Sequence, residues 1–288
     1  MKHKVLILGT LGEFTELVRK AKARGYETIV CDGYPDGIAR EYADKDYTIP
    51  VTDIDAIAQM CREESVDGII TSFSDLLLEC MTKIADKAGL PCYLKPEQLP
   101  WYRDKSACRE VLEKLGLPTP GFRKISVDLL RQGTEAQLQE SIAGLEYPLI
   151  SKPLDKYGSR GIFIIHDQSE IRRKALQTAE YTNCQEILIE EYNDGYEFNM
   201  MTWVMDGRVN VVSIADREKT EVEEGMLPIS TRNVYPSRFL TEVEKGATDV
   251  LQRYIGYTGQ TEGALSMQFF WKPEKGIHDS GCNRKTIV

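Results

Sequence analysis

The sequence contains no G-x-x-x-x-G-K-[ST] segment, which excludes the P-loop way of cradling phosphates. Histidine is scarce: His3, His166 and His278 stand far apart, which argues against a histidine-built metal site. The seven cysteines form no C-x-x-C pair, and an odd, unpatterned set fits a reducing cytoplasm better than a disulfide framework or a zinc site. No apolar run approaches the ~20 residues needed to cross a bilayer. The opening MKHKVLIL is too short in its apolar part for a secretory signal and reads as a first buried strand. Basic stripes with interleaved aromatics are also missing, and a net charge of −9 argues against a nucleic-acid partner. There is no internal repeat and no low-complexity tract.

What remains is a globular composition, 42% hydrophobic and 28% charged over 288 residues, long enough for two or three packed units. The first hundred residues alternate between strand and helix periods. Strands are expected at Val5–Leu8, Tyr26–Cys31, Val66–Ser72 and Leu90–Leu94. Helices are expected at Glu13–Arg24, Asp53–Glu64 and Asp75–Ala88, with Gly25 and Gly89 as stops. Such alternation predicts a parallel sheet with helices on both faces. Lys95–Arg103 carries Pro96 and Pro100 and reads as a connection; Asp104 then caps a helix running to Leu115.

The second half has a different character. A strand is expected at Phe122–Ser126 and helices at about 135–143, 169–179 and 242–254. Tyr196–Val204 and Arg208–Ala215 form a hairpin through Asp206-Gly207, a strong two-residue turn signal. An α/β head is therefore followed by an α+β body with antiparallel strands.

Several charged residues sit where rigid elements would aim them. Lys152 ends the strand PLISK, and the loop Lys156–Gly161 follows. Its Gly158 and Gly161 let backbone N–H groups come close to an anion beside Ser159. EILIEEY then ends a strand in Glu190 and Glu191, and Glu197 begins the next. Alone, Lys152 would read as a surface lysine and the glycines as an ordinary hairpin turn. Joined to the glutamates, they fit a nucleoside triphosphate, which needs cations and N–H groups for phosphate and carboxylates for amine and ribose. A competing site lies in the head. GTLGEF, residues 9–14, follows a strand and opens a helix without the full G-x-G-x-x-G spacing. Asp32, at the second strand's end, stands where a dinucleotide's ribose would bind, so a nicotinamide-dependent oxidoreductase is a further reading.

These motifs, in this order, resemble the ATP-grasp superfamily, within its carboxylate–amine and carbamoyl-phosphate-synthase-like ligases. The resemblance rests on the DK opening the Asp104 helix, then LGLPTP, YPLISKP, YGSRGI and IEEYNDGYEF, and it spans residues 1 to about 278. It implies a Rossmann-like N-terminal domain (1–100), a first ATP-grasp lobe with the phosphate loop (101–190) and a second lobe (191–288). Lys105 and Lys152 would hold the phosphates, and Tyr157, Gly158, Ser159, Arg160 and Gly161 would cover them. Glu190 would take the exocyclic amine of adenine, the Glu191–Tyr192 backbone its edge, and Glu197 the ribose hydroxyls. Arg232 would meet the transferred phosphoryl group as the catalytic residue, and Gln268, in ALSMQFFW, would bind metal. The implied cofactors are ATP and Mg2+. The implied reaction joins a carboxylate to an amine through an acyl phosphate, in the cytoplasm, with small-molecule substrates and no nucleic-acid or membrane partner; a homodimer is left open.

The C-terminal end departs from the family. Where an E-x-N-x-R strand is expected the chain reads IHDSGCNRKTIV, with Cys282, Asn283 and Arg284 but no glutamate, and Asp279 as the one acid. A truncated or frame-shifted second lobe would read this way. Loss of a metal-bridging carboxylate should weaken turnover more than binding. A non-catalytic or defective ATP-binding module is therefore the alternative function.

Overall fold

Alternate residues of the first strand face different helices. The computed structural model describes residues 2–72, 74–155, 160–220, 230–273 and 276–279. In chain order the head contains β1 (Lys4–Leu8), α1 (Thr15–Ala23), β2 (Glu27–Cys31), β3 (Lys45–Tyr47), α2 (Ile54–Glu64), β4 (Gly68–Ile70) and α3 (Asp75–Ala88). Its sheet has the order β3-β2-β1-β4 with every pair parallel. Ile7 and Val30 pack with Phe14, Val18 and Ala39 on the α1 side. Leu6, Leu8, Ile29 and Cys31 pack on the other side with Ile57, Cys61, Leu78, Met81 and Ile84 of α2 and α3. Period-2 strands between period-3.6 helices give this layering, as the sequence pattern predicts.

The helix ends are set by local chemistry. Asp53 accepts the Ala56 N–H at 3.1 Å to open α2, and Ser74 accepts the Leu77 N–H at 3.4 Å to open α3. Gly89 closes α3 at φ +72°, a conformation that glycine adopts without steric cost. The strand expected at Leu90–Leu94 does not form. The Leu90 N–H bonds to the Ala85 carbonyl at 2.9 Å, and Pro91 has no donor to offer a ladder.

Glu64 pins the end of α2 to the sheet. It accepts from Lys45 and from the Tyr47 hydroxyl at 2.5 Å each, with Lys4 at 3.4 Å. The hydrogen bonds from Lys45 and Tyr47 hold its carboxyl at about 2, against an ordinary 4.5. A depressed carboxylate stabilises the fold above its ordinary range and loses that contribution as pH falls through the lowered value. Glu64→Gln should therefore cost about 1 kcal/mol at neutral pH, the modest figure of a pair close to the surface. The gap from wild type should close between pH 4.5 and about 2. Urea unfolding of both proteins across that range measures it; a pH-independent gap would contradict this account.

The body adds α4 (Leu99–Arg103), α5 (Lys105–Lys114), β5 (Phe122–Ser126), α6 (Val127–Gln132), α7 (Glu135–Ser141), β6 (Leu149–Pro153), β7 (Phe163–Ile165), α8 (Ile171–Ala179) and β8 (Glu186–Glu191). It continues with β9 (Tyr196–Met205), β10 (Arg208–Lys219), β11 (Ser230–Val234), α9 (Leu240–Thr258), β12 (Gly263–Lys272) and β13 (Gly276–Asp279). One four-stranded sheet has the order β5-β8-β6-β7; a five-stranded sheet has the order β11-β10-β9-β12-β13; both are antiparallel throughout. Asp206 (φ +50°) and Gly207 (φ +69°) make the expected tight turn between β9 and β10.

Cys108 is fully buried on α5, and Cys31, Cys61, Cys80, Cys92 and Cys184 are free thiols. Among the described residues no helix is long and apolar enough to cross a membrane.

Candidate nucleotide site

Each antiparallel sheet has one face covered by helices and one face carrying charge. In the four-stranded sheet, Ile125, Leu149, Ile165, Ile187 and Ile189 pack against Leu130, Leu138, Ile142, Ile171 and Ala175 of α6, α7 and α8. Residues one step out of that phase point the other way. They include Lys152 on β6 and Glu190 on β8. In the five-stranded sheet, Phe198, Met200, Leu265, Met267 and Phe269 share a core with Val243, Ala247, Leu251 and Tyr254 of α9. The opposite phase carries Glu197, Asn199, Arg217, Lys219, Ser266 and Gln268. Asn199, Ser266 and Gln268 are buried although polar.

Glu190 is 3% exposed and holds two cations, Lys152 and Arg109. The Arg109 guanidinium reaches it from α5 at 3.0 Å and bonds the Thr119 hydroxyl at 2.6 Å. Burial pushes the Glu190 carboxyl up, but Lys152 and Arg109 outweigh it and hold the group below its ordinary range. A carboxylate offers about four lone-pair sites, so two cations leave it room to accept from a ligand.

Glu191 turns aside. Its carboxylate accepts from the Gly121 and Glu146 N–H groups at 3.1 Å each. Its own N–H bonds to the Gly121 carbonyl, and the Tyr192 N–H bonds to the Pro148 carbonyl, both at 2.9 Å. Both of these backbone N–H groups are therefore engaged in the protein.

Residues 192–195 carry the chain from β8 straight into β9. There Glu197 pairs with Arg217 at 2.8 Å and Lys219 at 2.5 Å. Beside this group, Arg238 lies 5.0 Å over the Tyr196 ring and pairs with Asp216 at 3.2 Å. Tyr196, Glu197, Arg217, Lys219 and Arg238 border a cavity of about 540 Å³. A larger groove, about 1220 Å³, runs along α1 and β4 past Leu17, Ala21, Ile70 and Trp203. It meets neither charged cluster.

Gln268 faces the same cations. With its amide oriented to satisfy both ends, its carbonyl lies 2.5–3.1 Å from the three nitrogens of the Arg217 guanidinium. A metal ligand at this position would need that carbonyl for the ion, so the arrangement does not fit magnesium at Gln268. Among the described residues, no three His, Cys, Asp or Glu side chains group to hold a metal ion.

The other expected residues divide three ways. Lys105 is the first residue of α5, and Asp104 caps that helix through the Ser106 and Ala107 N–H groups at 2.7 and 3.1 Å; the Lys105 side chain lies outside the described structure. Tyr157, Gly158 and Ser159 lie outside the described residues. Arg160 is exposed, and Gly161 has φ +71° with no space for a Cβ, which would meet Tyr181 at 2.6 Å. Arg232 departs from the expectation. Its side chain is 71% exposed and pairs with Glu218. Glu218 alternates along β10 with Arg217 and Lys219, so Arg232 stands on the opposite face from Glu197.

The competing head site is closed by its own side chains. Asp32 accepts from the Thr10 and Tyr34 N–H groups at 3.1 Å each, and Arg40 holds its carbonyl at 2.8 Å. A Cβ on Gly9 would strike the Phe14 ring at 2.5 Å, and one on Gly37 would strike Thr10 at 2.0 Å. The turn that would face a pyrophosphate is packed against Phe14 and residue 37.

Sequence reasoning missed Arg109, Arg217 and Lys219. Arg109 carried a signal: it lies beside Cys108 and one turn from Leu112 on the apolar side of α5. The i, i+2 pair Arg217 and Lys219 carried none beyond strand alternation.

This architecture has known counterparts. Phosphoribosylglycinamide synthetase from Anaerococcus prevotii superposes with a TM-score of 0.77 at 20% identity, covering 98% of this chain and 67% of that one. The biotin carboxylase domain of 2-oxoglutarate carboxylase from Hydrogenobacter thermophilus, solved with MgADP, ADP and bicarbonate, also gives 0.77, at 18% identity over 100% and 65%. The family model for the D-ala D-ala ligase C-terminus matches residues 111–234. These similarities support the resemblance to the ATP-grasp superfamily. Among curated proteins, the carbamoyl phosphate synthase large chain, C-terminal section, from Methanopyrus kandleri is 23% identical over 96% of this chain. The chain spans about half the length of that relative, 52%.

Proposed function

We propose that the chain binds ATP between the two antiparallel sheets and works as an ATP-dependent ligase joining a carboxylate to an amine. One observation carries this reading. Lys152–Glu190–Arg109 and Glu197–Arg217–Lys219 occupy the helix-free faces of two sheets that the chain joins through residues 192–195. The relatives and neighbours above support it. In this reading residues 1–100 form a Rossmann-like head, 101–190 the first lobe and 191–288 the second.

Lys152 and Lys105 hold phosphate oxygens, Glu190 accepts from the adenine amine and Glu197 from the ribose. The substrate carboxylate attacks the γ-phosphorus, a new P–O bond forms and the bond to ADP breaks. The amine then attacks the acyl carbon and phosphate leaves. Positioning and charge neutralisation are what these residues supply to both steps. Arg232 has no part at the reacting atoms in this account, because its pair with Glu218 lies on the other face.

A module that binds ATP without turnover is the second reading, favoured by the contact between Gln268 and Arg217. Calorimetric titration with ATP, and separately phosphate release across a panel of carboxylates and amines, tests both. Binding with amine-dependent release supports the ligase. Binding without release in any combination supports the module. Absence of binding overturns both.

A further inference from the structure

The position that the family resemblance assigns to a metal ligand is held by a guanidinium. Gln268 is 4% exposed, so its carbonyl has few partners to choose from. It lies within 2.5–3.1 Å of all three Arg217 nitrogens. Arg217 is fixed there a second time by its ion pair with Glu197, Nε lying 2.8 Å from the carboxylate. Lys219 shares Glu197 and lies 5.1 Å over the Phe270 ring. Two cations share this one carboxylate on a rigid strand, beside the 540 Å³ cavity, whose lining also carries Asp194, Glu218 and Arg238. A divalent ion bound to the same carbonyl would sit against the guanidinium and be repelled by it.

We infer that Arg217, supported by Lys219, supplies the positive charge that a metal ion would otherwise bring to the phosphates, so that this chain binds ATP without a divalent cation. A guanidinium has five N–H donors in a planar fork, and Glu197 and Gln268 engage only some of them. The remainder match phosphate oxygens. The inference rests on the proposed nucleotide site, deepens it, and concerns binding only.

The test is calorimetric titration of the full chain with ATP, once in EDTA and once in excess magnesium chloride, with AMP as a phosphate-poor control. The two ATP affinities should agree within about 3-fold, a difference under 1 kcal/mol. Arg217→Met should lower ATP affinity in EDTA by ~10-fold and AMP affinity far less, and Arg217→Lys should recover part of the loss. ATP binding by the wild-type chain in magnesium but not in EDTA would overturn the inference and leave the nucleotide site standing. No ATP binding in either buffer would overturn the nucleotide site itself. The wild-type comparison decides the matter even if Arg217→Met fails to fold.

Discussion

Arg109→Met should destabilise the folded protein by about 3–5 kcal/mol, the cost of leaving a buried charge with half its compensation. Arg109 is fully buried and its guanidinium meets the equally enclosed Glu190 at 3.0 Å. Methionine keeps much of the side-chain volume, so the loss reports charge and hydrogen bonds rather than a cavity. The pH dependence identifies the cause. In the wild type the lowered Glu190 carboxyl stabilises the fold above its ordinary value of 4.5, and that contribution fades as pH falls through the lowered value. In the variant one of the two cations is gone, so the carboxyl takes up its proton at a higher pH and relieves its own burial penalty. Denaturant unfolding at pH 7 and pH 4.5 should therefore show a smaller gap at the lower pH. An equal gap at both would mean that Arg109 acts through packing alone.

Lys152→Met should lower ATP affinity by about 10- to 150-fold, the 1.5–3 kcal/mol of a hydrogen bond to a charged partner. The effect is expected to fall on the phosphates, so AMP affinity should change much less. Lys152 lies on β6, between β7 and β8, which fixes where its ammonium can reach. It is also the more exposed of the two cations on Glu190, at 17% against 0% for Arg109. Folding stability should accordingly suffer less than in Arg109→Met. The two variants thus separate a residue that positions Glu190 from one that meets the ligand. Titration of Lys152→Met with ATP at unchanged affinity would remove Lys152 from the site.

Much of the fold was legible because local signals agreed. Asp53, Ser74 and Asp104 cap the helices that the apolar spacing predicts. Asp206-Gly207 turns the hairpin, and the switch from parallel to antiparallel pairing falls where the pattern changes. The Leu90–Leu94 strand was misread because an apolar run says nothing about where its N–H groups bond. Lys152 and Glu190 were each legible as strand-end charges, whereas their pairing was not. Arg232 was misplaced because a loop arginine in sequence carries no information about which face of a sheet its row joins.

By itself the sequence determined the alternation of strands and helices, the capped helix ends, the tight hairpin and the residue types gathered near Lys152 and Glu190. Each of these depends on contacts within a few residues or on strict periodicity, both of which a linear chain records. Only the tertiary structure decided that Arg109 supports Glu190, that Asp32 serves the head's own backbone, and that Gln268 faces Arg217. Those contacts join residues 81, 22 and 51 positions apart, and which side chains meet over such distances is decided by how helices, loops and strands pack together, which no local pattern records.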